Sequence, residues 1–221
     1  MSKVLVTGAG GYLASHLSEA LTMRGDEVTA MVHYRSDGSH GWLDHSSLRD
    51  HMNIVAGDIR NVDSMMDLFA QHRFDTVYHL AALISIPYSY RAPREFAETN
   101  VLGTLNVLQA ARCTGVQHLV HTSTSEVYGS GDGSPMNELR PLRPQSPYAA
   151  SKVGADAMAT AFYHSYNLPV TILRPFNSFG PRQSQRALIP SVILQALAGK
   201  DVKIAHPQSR RDWTYVEDTV E

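Results

Sequence analysis

The first fourteen residues, MSKVLVTGAGGYLA, narrow the possible folds more than any other stretch. An apolar run, Val4-Leu5-Val6, passes through Thr7 into a turn holding Gly8, Gly10 and Gly11. An amphipathic stretch follows over residues 14–24 and stops at Gly25. Glycine just past the last periodic residue is a helix-stop signal, so the segment reads as strand, tight turn, helix. The rhythm then repeats. Short β-rich runs recur at residues 28–32, 53–56, 76–80, 118–122 and 170–173, with amphipathic stretches such as 62–71 between them. Short apolar runs of this kind fit strands covered on both faces. Such strands, joined by helices, imply an α/β fold built on a doubly wound parallel sheet.

Two stretches break the alternation. Residues 33–50 are rich in Ser, Gly and His, contain Trp42, and read as a long loop. Residues 129–147 hold three Gly and four Pro and read as a loop leading into a helix. After Arg174 the pattern weakens: Pro175, Pro181 and Pro190 punctuate it, and a helix over 191–198 ends at Gly199. Residues 1–174 are therefore assigned to the sheet domain, and 175–221 to the beginning of a C-terminal substrate lobe. A helix starts within 215–221. A compact domain seldom stops there, so the natural product is expected to continue, or this is a shortened form.

Composition excludes several classes. With 221 residues, 43% of them apolar, there is material for a sizeable core. The 19 basic and 21 acidic residues give a net charge of −2, which argues against a nucleic-acid surface. Cys113 is the single cysteine, so no internal disulfide can form. Its place on an apolar helix face suggests a buried small hydrophobe. No run of about 18 apolar residues suggests a membrane span. The chain enters its first strand too early to leave room for a signal peptide. The expectation is a soluble cytoplasmic protein with neither nucleic acid nor membrane as partner.

The Gly8–Gly11–Ala14 spacing has a mechanical meaning. Gly8 permits the tight turn, Gly11 lets a pyrophosphate approach the backbone, and Ala14 lets helix and strand pack closely. The following helix offers free N–H groups and a positive dipole end to the phosphates. This is a Rossmann-like dinucleotide site. An acidic residue at the end of the second strand would bind the 2′-hydroxyl of NAD. Here that strand exits through His33-Tyr34-Arg35-Ser36, and no carboxylate appears before Asp37. Arg35 could pair with a 2′-phosphate, which favours NADP over NAD. Asp58, after the third strand, could accept a hydrogen bond from the adenine amino group.

The chemistry gathers near the fifth strand. Ser146-Pro147 is a helix-opening pair, and Tyr148 and Lys152 are four apart on one helix face. An ammonium beside a phenol favours the phenolate, which makes Tyr148 a usable base. The fifth strand ends in Ser123-Thr124-Ser125-Glu126-Val127-Tyr128. Ligands in open α/β sheets bind beyond the carboxyl ends of strands, so a hydroxyl, a carboxylate and a phenol should share one pocket there. A turn or N-cap role for Ser and Thr is the bland alternative.

Taken together, TGAGGYLASHL, HLAAL, NVLGTLNVL, HTSTSEVYG, SPYAASK, RPFNSFGPR and RRDWTYVED resemble the extended short-chain dehydrogenase/reductase family in its sugar-nucleotide branch. The resemblance covers essentially the whole chain. STSEVYG beside SPYAASK looks most like nucleotide-sugar 4,6-dehydratases. ALISIPYSY, GPRQSQRALIP and the Trp42 loop are closest to those acting on nucleotide-linked N-acetylglucosamine in legionaminic-acid-type pathways, with GDP-mannose 4,6-dehydratases more distant.

The resemblance implies that Tyr148, aided by Lys152, takes the proton from sugar O4 while C4 gives a hydride to NAD or NADP. Thr124 would hydrogen-bond to O4, and Glu126 would remove H5 as water leaves from C6. Ser125 stands where dTDP-glucose dehydratases carry Asp. Either Glu126 does both jobs, as GDP-mannose dehydratases suggest, or the dehydratase assignment fails. The implied cofactor contacts are Gly8, Gly11, Tyr12, Leu13, Arg35, Asp58 and Ile59, then Leu80, Ala81, Ala82 and Asn100, and finally Ser123, Tyr148, Lys152 and Pro175. Thr124, Ser125, Asn177, Arg186 and Arg211 would meet the substrate, the two arginines clamping its diphosphate. The family also implies a homodimer through the two long helices over 94–112 and 148–166, though internal packing would use the same faces.

Three other readings compete. A nucleotide-sugar 4-epimerase would share Tyr148, Lys152 and Thr124 without needing a base aimed at C5, so Glu126 discriminates. A UDP-glucuronate decarboxylase resembles the chain through its Thr-Ser-Glu run. A non-catalytic NADP-sensing Rossmann protein would have no use for the four groups together. His40, His45 and His51 cluster in the long loop, but no H-E-x-x-H or Cys/His pair accompanies them, so no metal is expected.

Overall fold

Val4, Leu5 and Val6 show how the sheet is covered. All three are essentially fully buried, and they alternate between two cores. Val4 and Val6 join Leu17, Leu21, Val28, Ala30 and Leu43 on one face. Leu5 joins Met65, Phe69, Leu108, Ala159 and Phe162 on the other. A period of two with both faces buried is what a central parallel strand requires. At roughly 1.5–3 kcal/mol per fully buried large aliphatic side chain, these two clusters supply the main driving force for the fold.

The structure is a computed structural model and describes residues 1–131, 133–204, 208 and 210–221. Six parallel strands form the main sheet: β1 (Lys3–Thr7), β2 (Glu27–Val32), β3 (Asn53–Ala56), β4 (Thr76–His79), β5 (His118–Thr122) and β6 (Val170–Leu173). Their order is β3-β2-β1-β4-β5-β6, so the chain reverses its winding between β1 and β4. That reversal opens a crevice at the carboxyl ends of the strands, where ligands bind in such sheets. Thr7 lies there, in register with Met31 on one side and His79 on the other.

Helix α1 (Tyr12–Met23) follows the glycine turn, and α2 (Val62–His72) begins with Asn61 Oδ1 accepting from Ser64 N–H at 3.0 Å. Two single turns, α3 (Ile86–Ser89) and α4 (Pro93–Phe96), precede a π-helical segment (Ala97–Leu102) that runs into α5 (Gly103–Thr114). Glycine 115, at φ +75°, ends α5 in the left-handed region, where a Cβ would be strained. Helix α6 (Pro147–Tyr166) opens as expected: Ser146 Oγ accepts from Ala149 N–H at 3.0 Å, and Pro147 fills the first position. Beyond β6, β7 (Asn177–Phe179) pairs in parallel with β8 (Trp213–Tyr215), flanked by α7 (Leu188–Leu197) and α8 (Val216–Val220). This small unit docks on α1, where Arg182 donates to Ser15 Oγ at 3.1 Å and to Glu19 Oε1 at 2.8 Å.

Two expectations need correction. Cys113 is exposed, because the buried face of α5 passes through Ala110 and Ala111 and turns away one step later. The 33–50 stretch is not plain loop. It holds 3₁₀ turns at Gly41–His45 and Arg49–His51, and Leu43 is fully buried. No described helix is long and apolar enough to cross a membrane.

Candidate active site

The glycine turn is shaped by backbone crowding. Gly8 sits at φ +74°, and a Cβ there would lie 2.9 Å from Ala81 Cα. Gly11 caps α1 without any side-chain hydrogen bond, so the first-turn N–H groups face the crevice uncapped. Thr7 Oγ1 accepts from the N–H groups of Leu80 and Ala81 at 3.2 and 3.1 Å, tying the end of β4 against the turn. Leu80, Ala81 and Ala82 are half-buried along this edge. The cradle suits a dinucleotide pyrophosphate: it is narrow, uncapped and lined by backbone.

The remaining expected cofactor residues divide. Leu13 is half-buried at the helix start. The Tyr12 hydroxyl reaches instead toward Ser178 on β7 at 3.5 Å, which leaves its backbone N–H for the phosphates. The Ile59 side chain packs into the core against Gly103, so only its backbone remains to meet a cofactor. The Asp58 carboxylate is chelated by Arg60, with Nε at 3.0–3.1 Å and a terminal nitrogen at 2.6 Å. The Arg60 guanidinium holds that carboxyl below its ordinary range. Arg35 is exposed and already paired with Asp37 at 3.1 Å. In the 33–50 segment, His40 lies 3.4 Å from Asp44 and 3.1 Å from Arg49.

At the end of β5 the expected groups converge. Thr124 Oγ1 accepts from Glu126 N–H at 3.2 Å and caps the 3₁₀ turn Ser125–Tyr128. Ser125 N–H donates to Pro175 C=O at 3.1 Å, and Ser123 N–H to Leu173 C=O at 2.7 Å, so β6 fixes the turn from the other side. Tyr148 is buried and within hydrogen-bonding reach of the Thr124 side chain. Glu126 is close enough for its charge to act on the phenol. Lys152 is buried and donates from Nζ to Thr122 C=O at 2.7 Å. Arg211 joins from the C-terminal unit, 3.3 Å from Glu126 Oε1.

The expected electrostatics hold only in part. Burial pushes the Tyr148 hydroxyl up from its usual range, and the nearby Glu126 charge adds to this, while the Thr124 hydrogen bond pulls it down. Lys152 is pushed down to about 8 by burial. Its ammonium is spent on the Thr122 carbonyl, so Tyr148 is a neutral phenol at neutral pH in the free protein.

Asn100 acts through the scaffold. Its Nδ2 donates to Leu83 C=O and to Ser151 Oγ, both at 2.9 Å, and its Oδ1 accepts from Leu83 N–H at 2.8 Å. It thereby locks the loop after β4 onto α6 between Tyr148 and Lys152. Asn177 Nδ2 contacts Asp212 C=O at 3.4 Å. Arg186 is exposed, and nothing among the described residues ties it to the Tyr148 group. Sequence reasoning missed a buried chain in which Thr104 Oγ1 donates to Asn100 C=O at 2.6 Å and also meets His79 Nε2 at 3.0 Å, while His79 Nδ1 meets Thr7 Oγ1 at 2.8 Å. It also missed Asp156, although a position four past Lys152 shares its helix face.

The family model described as GDP-mannose 4,6 dehydratase matches residues 5–221. The chain belongs to that family. Its relatives include a dTDP-glucose 4,6-dehydratase of Actinoplanes sp., 36% identical over 98% of this chain and 69% of the relative. A solved dTDP-glucose 4,6-dehydratase from Streptomyces venezuelae, with NAD bound, superposes with a TM-score of 0.88 at 34% identity, covering 99% of this chain and 69% of that one. A UDP-N-acetylglucosamine 4-epimerase from Methanobrevibacter ruminantium gives 0.89 at 30% identity, covering 99% and 70%. The family thus bears out the Rossmann-like fold and the sugar-nucleotide dehydratase/epimerase branch expected from the motifs.

Proposed function

We propose that this protein is a nucleotide-sugar 4,6-dehydratase, a hydro-lyase that employs NAD or NADP and regenerates it in each cycle. The observation that carries this reading is the convergence of Thr124, Glu126 and Tyr148 beside buried Lys152 at the end of β5. The dinucleotide supplies a hydride acceptor at C4 and later a donor at C6. The chain does the proton work. Tyr148, which must first ionise once dinucleotide and substrate are bound, accepts the O4 proton as a phenolate, and Thr124 holds O4 by a hydrogen bond. Glu126 removes the C5 proton, acidified by the new 4-ketone. One proton and the C6 hydroxyl leave as water, the second proton returns to C5, and the balance is loss of water alone. With Ser125 unable to act as an acid near neutral pH, Glu126 also protonates the departing hydroxyl. Asn177, Arg186 and Arg211 would hold the substrate diphosphate, and residues 175–221 would begin the lobe that carries them.

Glu126 favours the dehydratase over a 4-epimerase, whose reaction needs no base at C5. Exposed Leu102, Met158 and Tyr166 on the α5–α6 side support a homodimer through those helices. A single exposed thiol suits a reducing compartment such as the cytoplasm. Incubation with GDP-, UDP- and dTDP-hexoses plus NAD+ or NADP+, followed by mass spectrometry, tests the reading. A product lighter by one water is expected. An isomer of unchanged mass would mean epimerisation, and loss of carbon dioxide from a uronate would mean decarboxylation.

A further inference from the structure

Thr7 and His79 stand in register at the ends of β1 and β4, next to the glycine turn. Both are buried, as is Thr104 on α5, and the three side chains hydrogen-bond in a line. The donors in that line can be counted. Thr104 Oγ1 has one hydrogen, and Asn100 C=O takes it at 2.6 Å. Toward His79 Nε2, 3.0 Å away, Thr104 therefore only accepts, so Nε2 carries the ring proton. Burial keeps the imidazole neutral, which leaves Nδ1 as a bare acceptor. Thr7 Oγ1, 2.8 Å from Nδ1, donates to it. Its lone pairs are then turned to the N–H groups of Leu80 and Ala81, at 3.2 and 3.1 Å. The opposite tautomer would set two lone pairs against each other between Nε2 and Thr104, at the cost of a buried unmade hydrogen bond.

The direction of this line matters because of what lies at each end. Leu80 and Ala81 are the wall of the glycine turn, since a Cβ on Gly8 would lie 2.9 Å from Ala81 Cα and 3.0 Å from its nitrogen. One hydroxyl on β1 thus sets how far the exit of β4 stands from the turn. At the other end, Asn100 grips Leu83 and Ser151, and Ser151 Oγ donates to Tyr148 C=O at 2.7 Å. The His79 imidazole stands between the cradle and the helix that carries Tyr148. It is 1% exposed, and none of the proton transfers above passes through it.

We propose that His79 is a positioning residue for the dinucleotide: as the Nε2–H tautomer it orients the Thr7 hydroxyl, which holds the Leu80–Ala81 backbone at the width the glycine turn needs to take a pyrophosphate. The inference rests on the reading of that turn as the dinucleotide site.

Two substitutions separate the ring nitrogens. His79→Asn sets an amide oxygen near the place of Nδ1 and keeps the bond from Thr7. His79→Gln sets an amide N–H near the place of Nε2 and keeps only the bond to Thr104. The measurement is the dissociation constant of NAD+ and of NADP+, with thermal melting as a folding control. His79→Gln should weaken binding by about five- to tenfold, and His79→Asn should stay within about twofold of wild type. Thr7→Val should match His79→Gln, and the two together should lose no more than either alone. A merely structural ring would lower the melting temperature without telling its two nitrogens apart. Equal losses in the Asn and Gln variants, or none in either, overturn the proposal. Nitrogen-15 spectra of the wild-type histidines, with His79 assigned through its own backbone, should show the Nε2–H tautomer; the Nδ1–H form overturns the proposal with no ligand present. If neither His79 variant folds, unchanged affinity in Thr7→Val overturns it, and failure of all three to fold makes the line a structural one and overturns it too. A wild-type protein that binds neither dinucleotide refutes the reading of the site and this inference with it, whereas tight binding by wild type, His79→Gln and Thr7→Val alike refutes the inference alone.

Discussion

At the scale of single residues, Glu126 carries the heaviest chemical demand. In the proposed reaction it takes a proton from C5 and gives one to the departing hydroxyl, and Arg211 sits 3.3 Å from its carboxylate. Glu126→Gln keeps the shape and removes the basicity. The variant should bind dinucleotide normally and still oxidise C4, yet its kcat for water loss should fall by at least about 10²-fold. Full dehydration by the variant would take Glu126 out of the base role. Arg35 poses a different question, because it is engaged with Asp37 at 3.1 Å before any 2′-phosphate arrives. Arg35→Ala should weaken NADP+ more than NAD+. Asp37→Asn should do the opposite, freeing the guanidinium and tightening NADP+. Titrations in which both variants affect the two dinucleotides equally would remove Arg35 from the phosphate.

Among the elements, what was legible and what was not divides along physical lines. The six strands were readable because burial on both faces leaves a continuous apolar signature. The start of α6 was readable because Ser146 caps the Ala149 N–H and Pro147, which has no N–H to satisfy, fits the first position. The proposed catalytic residues Thr124, Glu126, Tyr148 and Lys152 were named from their motifs, and the fold gathers them at the end of β5. The 94–112 stretch read as one helix, but a π-helical segment interrupts it at Ala97–Leu102. A π-helical turn has no residue signature of its own, yet it lies where Asn100 reaches both Leu83 and Ser151. The packing of the 33–50 segment was also invisible, since it depends on two backbones meeting across some thirty residues. Trp42 N–H donates to Gly10 C=O at 3.1 Å, and a Cβ on Gly10 would lie 2.6 Å from His40 C=O. Sequence reasoning gave roles to Gly8 and Gly11 and none to Gly10. Gly10→Ala should therefore cost about 1–3 kcal/mol by overpacking and lower the melting temperature. An unchanged melting temperature would show that the 39–42 turn yields freely.

For the molecule as a whole, the two cores meet at a sheet whose centre holds charge-capable groups. His79 and His121 are buried side by side on adjacent strands β4 and β5. Burial depresses both, His121 from its ordinary 6.5 to about 4. Between those two values the unfolded chain binds a proton that the folded chain refuses. The unfolded state therefore gains on acidification, and stability falls as pH drops from 6.5 toward 4. For His121 alone the loss is on the order of 3 kcal/mol, a large share of a typical 5–15 kcal/mol domain stability, and His79 acts in the same direction. Carboxylates held down by partners, such as Asp156 beside His121 and Arg174, act in a different window, since their stabilisation is lost only as pH falls below their ordinary range. Urea unfolding across pH 4.5 to 7.5 separates the two. The midpoint should decline steadily below about pH 6.5, above the window in which the lowered Asp156 carboxylate acts. A midpoint that stays level down to pH 4.5 would mean that the buried imidazoles take up their protons inside the fold, with the sheet centre more open to water than its packing implies.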